Sequence, residues 1–179
     1  MTFDPDCRLR VRGRGETLHV VLVEPEIPPN TGNAARLCAA TRCTLHLVHP
    51  LGFDVSEKAV RRAGLDYWHL VEVKEHQSFQ AFVEHLPSQA RLHLFSGKAQ
   101  KSFLKAAYKA GDYLVFGKES KGLSEDILAQ FSEQLVAIPT LGQVRSLNLA
   151  NAVALAVYEA RRQMGDLDEV ELISHQLAP

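Results

Sequence analysis

Six short apolar runs recur along the chain: HVVLV at 19–23, TLHLV at 44–48, WHLVEV at 68–73, RLHLF at 91–95, YLVF at 113–116 and LVAI at 135–138. Their near-continuous hydrophobicity and β-branched content predict strands covered on both faces. Between them, residues 33–40, 57–63, 78–85, 124–131 and 147–164 read as helices. The last is the clearest, because Ala150, Val153, Ala154, Val157 and Tyr158 repeat at helical spacing with Glu159, Arg161 and Arg162 around them. Strands alternating with helices predict an α/β fold, a mostly parallel sheet flanked by helices. No long linker, internal repeat or low-complexity segment interrupts the pattern, so one α/β domain is expected.

In such sheets, ligands bind beyond the carboxyl ends of the strands. Three of the loops there are unusual. The first, EPEIPPNTGN at 24–33, leads into Ala34, Ala35 and Arg36. Its prolines stiffen the backbone. Asn30, Thr31 and Asn33 are types that cap a helix start, and Gly32 permits a close approach. That places Arg36 in the first helical turn, where a cation works against the helix dipole. Either this is a capped helix with a surface arginine, or Arg36 is aimed at a phosphate or a developing oxyanion. The second loop, FGKESKG at 116–122, has glycines on both sides of a charged tip. It matches neither a P-loop nor GxGxxG, and it reads equally as a plain strand–helix turn. The third, IPTLGQVRSLNLAN at 138–151, places Arg145, Ser146, Asn148 and Asn151 just before the long helix. Ser146 and Asn148 suit a cap, but a cap needs one such residue rather than a cluster.

Composition narrows the classes without choosing among them. The chain has 179 residues, 46% hydrophobic and 23% charged, enough for one domain with a real core. No apolar run approaches the roughly 18 residues of a membrane span. The first residues carry Arg8, Arg10, Arg12 and Arg14 in place of a secretory h-region, so a cytoplasmic protein is expected. Cys7, Cys38 and Cys43 form no disulfide framework, and neither HExxH nor CxxC accompanies the eight histidines, so no metal is expected. With a net charge of −1, binding to nucleic acid requires positive charge gathered on one face. The arginine tail and Lys58, Arg61 and Arg62 are the places for it, as RNA contacts or as solvated surface.

Four stretches, taken in order, resemble the SPOUT superfamily of methyltransferases: EPEIPPNTGNAARLCAAT (24–41), LGFDVSEKAVRRAGLDYW (51–68), GDYLVFGKESKGL (111–123) and RSLNLANAVALAVYEARRQ (145–163). Within it they are similar to the small single-domain tRNA 2′-O-methyltransferases that act on the wobble nucleotide, RRAGLDYW pointing to that branch. The resemblance covers residues 18–164, leaving a basic N-terminal extension at 1–17 and a C-terminal tail at 165–179.

It implies a deep C-terminal trefoil knot, the SPOUT α/β knot. It implies S-adenosylmethionine as methyl donor, with S-adenosylhomocysteine as product, bound in the knot by Phe95, Gly117, Ile138 and Ser146 with Leu141 and Leu147 nearby. It implies a homodimer, no membrane, and the tRNA anticodon stem-loop as substrate, methylated at cytidine or modified uridine 34. Arg36 would sit at the ribose 2′-oxygen. Asn30 and Asn33 would fix the first loop, with Asn33, Arg61, Arg62 and Arg145 toward substrate. Glu119 and Asn148 would lie near cofactor and ribose. The segment 140–144 departs from the family pattern, and the extension 1–17 has no counterpart in it.

Guanidinium does not normally deprotonate in proteins. Arg36 is therefore read as stabilising alkoxide character and gripping the adjacent phosphate through its planar fork. Tyr67, Trp68 and His69 are candidates for base stacking, and core burial of Trp68 is an equal reading. Three other readings remain: methylation of another tRNA or rRNA nucleotide, a non-catalytic RNA-binding scaffold of the same fold, and a Rossmann-type oxidoreductase. The last lacks GxGxxG after the first strand and an acidic residue ending the second, which reads His49-Pro50.

Overall fold

A computed structural model describes residues 7–11, 17–53 and 68–174. Its strands are β1 (Cys7–Val11), β2 (His19–Val23), β3 (Thr44–Val48), β4 (Val73–His76), β5 (Leu92–Phe95), β6 (Tyr113–Phe116), β7 (Leu135–Val136) and β8 (Val170–Ser174). The α-helices are α1 (Pro28–Thr41), α2 (Phe79–Glu84), α3 (Glu125–Gln130) and α4 (Leu149–Gln163). Six strands form one sheet in the order β4-β3-β2-β6-β5-β7, with every pairing parallel. The expected mostly parallel sheet flanked by helices is what the chain forms. β1 and β8 pair antiparallel in a separate two-stranded ribbon.

Alternate residues of each strand feed opposite faces. Val20, Leu22, Leu45, Leu47, Leu114 and Phe116 pack with Ala34, Cys38, Val153 and Val157 of α1 and α4. Val21, Val23, Val48, Leu94 and Val115 pack with Phe82 of α2 and Leu128 of α3. Helices therefore cover both faces, which explains why the central strands lack alternation.

The helix expected at 33–40 begins five residues earlier, with prolines at its first two positions. Proline fits there because the first amides of a helix have no partner within it. Asn30, Thr31 and Asn33 therefore lie inside α1 and do not cap it, and Arg36 stands in its third turn, away from the positive end of the dipole. The strand expected at 68–73 is a 3-10 turn over Trp68–Leu70, and the sheet strand follows as β4. The helix expected at 57–63 lies outside the described residues. Helices expected at 78–85 and 124–131 form with Ser78 and Ser124 as caps.

Three histidines on adjacent strands form a hydrogen-bonded row across the sheet. His19 Nδ1 lies 3.0 Å from His46 Nε2, and His46 Nδ1 lies 2.9 Å from His76 Nε2. Phe82 and Tyr113 pack edge-on against His46, which is 4% exposed. Burial, reinforced by His19, His76 and Lys74, pushes the His46 pKa down to about 3. Burial also lowers His19, beside Lys74 and Glu72, and His76, beside His85 and Lys74. Neutral His46 therefore stabilises the fold fully above its unfolded pKa of about 6.5, and that contribution is lost as pH falls toward 3. Urea unfolding at pH 7 and pH 4.5 is expected to show a loss on the order of a few kcal/mol. His46→Leu should flatten that pH dependence; an equal slope in the variant would assign the acid sensitivity to other groups.

Candidate active site at the carboxyl ends of β2, β6 and β7

Chain order reverses between β2 and β6. From β2 the chain moves outward through β3 and β4, then resumes on the other side at β5. The crevice at such a reversal is the ordinary ligand position of a parallel sheet. Here it is bounded by the loop after β2, residues 24–27, and the loop after β6, residues 117–122.

The two loops are fastened side by side. Lys118 Nζ donates to Glu24 at 2.6 Å. Ser120 donates to Glu26 twice, from its amide at 3.0 Å and its hydroxyl at 2.8 Å. Those bonds hold the Glu26 carboxyl below the usual carboxylate range, and Glu24 holds the Lys118 ammonium above its usual value. Glu119, between them, accepts from the Glu26 amide at 2.8 Å, the Ile27 amide at 3.3 Å and Asn30 Nδ2 at 2.9 Å. Asn30 Oδ1 in turn accepts from Asn148 Nδ2 at 2.9 Å. Asn148 Oδ1 caps α4, accepting from the amides of Ala150 and Asn151.

The result is a directional relay from the first amides of α4, through Asn148 and Asn30, to Glu119 at the start of α1. Each amide group uses its oxygen and its nitrogen on opposite sides, so a flip of either would set donor against donor. Glu119 has both oxygens occupied by its own chain. It is placed to hold α1 rather than to accept a substrate proton.

Gly117 makes this possible. A Cβ there would lie 2.1 Å from the Gly122 carbonyl carbon and 2.2 Å from the Leu123 nitrogen. The glycine lets the loop close upon itself. Gly52 acts similarly on the other side, where a Cβ would lie 2.8 Å from Glu26 Cα.

The remaining candidates fall into two groups. Asn33 and Arg36 are exposed, one turn apart on the outer face of α1. Phe95 ends β5 and Ile138 follows its paired strand β7, Phe95 stacked on Phe116 at 4.5 Å and Ile138 half-buried against the core. From there the segment 139–146 runs exposed: Leu141 is fully open to solvent, and Arg145 and Ser146 are exposed, while Leu147 is half-buried. Ser146 is not the cap of α4; Asn148 is. The segment reaches the loop after β5, where the Arg145 carbonyl lies 3.7 Å from a Cβ built on Gly97. Arg61 and Arg62 lie outside the described residues.

Sequence reasoning missed Glu24, Glu26, Lys118 and Ser120. Their signal was the matched spacing of Glu24-x-Glu26 with Lys118-x-Ser120. Thr31, read as a possible cap, is fully buried, and its hydroxyl has no hydrogen-bond partner among the described residues.

The chain matches the model of the SpoU rRNA Methylase family over residues 17–158. It is 50% identical over 153 residues to a tRNA (cytidine(34)-2′-O)-methyltransferase of Yersinia pestis, covering 83% of this chain and 94% of that protein. A solved structure described as "Structural insights into the 2-OH methylation of C/U34 on tRNA" is 52% identical with a TM-score of 0.79, covering 83% of this chain and 97% of that one. The SpoU methyltransferase AviRb of Streptomyces viridochromogenes, solved with AdoMet, shares the fold at a TM-score of 0.73 and 23% identity, over 86% of this chain and 60% of that one.

Glu119→Gln turns one acceptor into a donor facing a donor. Its unfolding free energy should fall by about 1–3 kcal/mol. Gly117→Ala should cost more, since backbone must move. Unchanged urea midpoints in both variants would remove the relay from its structural role.

Proposed function

The chain belongs to the SpoU rRNA methylase family, and from that membership and its site we propose that it transfers a methyl group from S-adenosylmethionine to the ribose 2′-hydroxyl of nucleotide 34 of tRNA, a cytidine or modified uridine. The observation that carries the reading is the Asn148–Asn30–Glu119 relay. It fixes the helix that presents Arg36, with the close relatives supplying the nucleotide.

The residues at the carboxyl ends of β5 and β7 suit S-adenosylmethionine. An adenosine needs apolar walls and backbone donors, and here an exposed segment carrying Leu141 and Val144 lies beside half-buried Ile138 and Leu147. Phe95, Gly117, Ile138, Leu141, Ser146 and Leu147 would hold the cofactor, in a trefoil knot formed by this part of the chain. When bound, it supplies an electrophilic sulfonium methyl group.

The chain's own residues then have to bring the 2′-oxygen in line with that methyl. Positioning of this kind supplies on the order of 7–11 kcal/mol. Arg36 grips the phosphate beside the reacting ribose through its planar fork and stabilises negative charge growing on the 2′-oxygen. The guanidinium holds its own protons, so the hydroxyl proton leaves to water or a phosphate oxygen. Asn33, one turn earlier on the same face, and Arg145 contact the flanking nucleotides, together with Arg61 and Arg62. Asn30, Glu119 and Asn148 position these groups. The enzyme works as a homodimer on the anticodon stem-loop; the exposed Leu155 and Tyr158 of α4 support that assembly.

Incubation with methyl-labelled S-adenosylmethionine and total tRNA, followed by nucleoside mapping, is expected to place the label on the ribose of nucleotide 34. Label on a base, or at another position, would overturn the assignment. Arg36→Lys keeps the charge and loses the fork, so kcat should fall at least tenfold with S-adenosylmethionine affinity unchanged. Near-normal turnover would show that the bidentate grip is not used.

A further inference from the structure

Among the described residues, two that carry a side chain hold a left-handed backbone, Glu24 and Arg42, each at φ 52°. Arg42 follows the last turn of α1 and its amide donates to the Cys38 carbonyl, an ordinary helix end. Glu24 ends no helix. It follows β2, and its amide still donates to the Val48 carbonyl at 2.9 Å as the ladder to β3 runs out. Glycine makes such a turn without steric cost. A carboxylate kept at that position points to a use for its side chain.

The turn sets that carboxylate against the loop after β6. Leu22 pairs with Phe116, and Glu24 and Lys118 each stand two residues past that pair. Lys118 Nζ donates to Glu24 Oε2 at 2.6 Å, with the two side chains 31% and 36% exposed. An ion pair this open to water contributes less to stability than a left-handed residue with a Cβ costs. Nor do the loops depend on it. Glu26 and Ser120 share two hydrogen bonds, and Glu119 accepts from three donors at the start of α1.

What the pair supplies is a cation at the mouth of the crevice. Lysine is a point charge on a flexible stem with three donors, able to change partners while the backbone stays fixed. Glu24, Glu26 and Glu119 gather negative charge on the two loops, a field that repels a polyanion. Lys118 meets one of these carboxylates directly, and a phosphate entering the crevice offers it a charge-assisted bond of the same kind. Arg36 lies about 13 Å along the axis of α1 from the helix start that Glu119 holds, so the two cations serve different phosphates.

We propose that Lys118 exchanges Glu24 for a backbone phosphate of the substrate RNA, Glu24 being an internal competitor that holds the lysine until the RNA arrives. This rests on the tRNA methylation reading above and adds a substrate contact to it. The exchange leaves the lysine paired with an anion throughout, and the released carboxylate turns to water. Position selects RNA over the carboxylate of the cofactor. Lys118 leans toward Glu24, on the β2 and α1 side of β6, whereas β5 and β7, whose ends are assigned to the cofactor, lie on the other side.

The test is a double-mutant cycle on the full chain: wild type, Lys118→Met, Glu24→Gln and the pair together, with end-labelled tRNA binding followed by fluorescence anisotropy over a salt series and S-adenosylmethionine binding by calorimetry. Lys118→Met should weaken tRNA binding about fivefold and reduce the slope of log Kd against log salt by about one. Glu24→Gln should strengthen tRNA binding about twofold, and that gain should vanish in the Lys118→Met background. Cofactor affinity should stay unchanged throughout, and Lys118→Arg, which keeps the charge, should bind tRNA nearly as wild type does. If Glu24→Gln weakens binding as Lys118→Met does, the pair is only a loop fastener and the proposal falls. A gain from Glu24→Gln that persists without the lysine is a general charge effect and overturns it too. Weakened cofactor binding in Lys118→Met with tRNA binding intact reassigns the lysine to the cofactor. A wild type that neither binds nor methylates tRNA overturns the methylation reading itself; an unchanged salt slope in Lys118→Met, with wild-type methylation at nucleotide 34, overturns the exchange alone.

Discussion

Helix α1 carries no charge complement of its own. Its first turn has no acidic residue, its last turn no basic one, and its N-cap makes no side-chain bond. Both ends are completed from elsewhere. Glu119, from the loop after β6, sets a carboxylate against the start of the helix. Arg161, from α4 and only 6% exposed, donates to the carbonyls of Thr41 and Arg42 at its end. A negative group at the first end and a positive one at the last is the arrangement the helix dipole favours. Because both come from distant segments, α1 is correctly terminated only when β6 and α4 are in place. The helix presenting Asn33 and Arg36 is therefore conditional on the whole fold.

The same logic binds the loops. The Glu24–Lys118 bond is part-buried and the Glu26–Ser120 bond exposed, and each is individually modest. Glu119 lies between them with three donors converging on it, and half-burial strengthens such charge-assisted bonds. The relay through Asn30 to Asn148 then couples the starts of two helices. The relay contributes geometry more than net stability, because its groups would bond to water in the unfolded chain.

The central sheet was legible because strands buried on both faces have nothing to hide: HVVLV and TLHLV match β2 and β3 residue for residue. The edge was not. β4 reads VKEH, with its middle residues exposed, and the more apolar WHLVEV before it drew the assignment away. Polar edge strands are a common defence against pairing with other chains, and they erase the very signal used to find strands. The start of α1 was obscured because Pro28 and Pro29 read as loop stiffeners, although proline is equally at home in a first helical turn. Asn30, Glu119 and Asn148 were each legible as candidates. That they bond to one another was not, since 89 and 118 residues separate the bonded pairs. In the tail, the alternation of Arg8 and Arg10 with Leu9 and Val11 was itself a strand pattern. Attention to charge concealed it.

The shift in the start of α1 changes the argument about Arg36. In a first turn, an arginine costs helix stability, and that cost would have been the evidence for function. In the third turn the dipole penalty is gone, since it decays within the terminal turn. What remains is geometry. A helix held at one end by Glu119 and at the other by Arg161 cannot rotate or slide without breaking one set of bonds. Its outer face, with Asn33 and Arg36 one turn apart, is thereby fixed relative to the crevice between β2 and β6. For a group that acts by gripping a phosphate at a set distance from a reacting oxygen, that fixity matters more than a perturbed charge. A positioner needs a rigid mount, and the two ends of α1 provide one for the role proposed for Arg36.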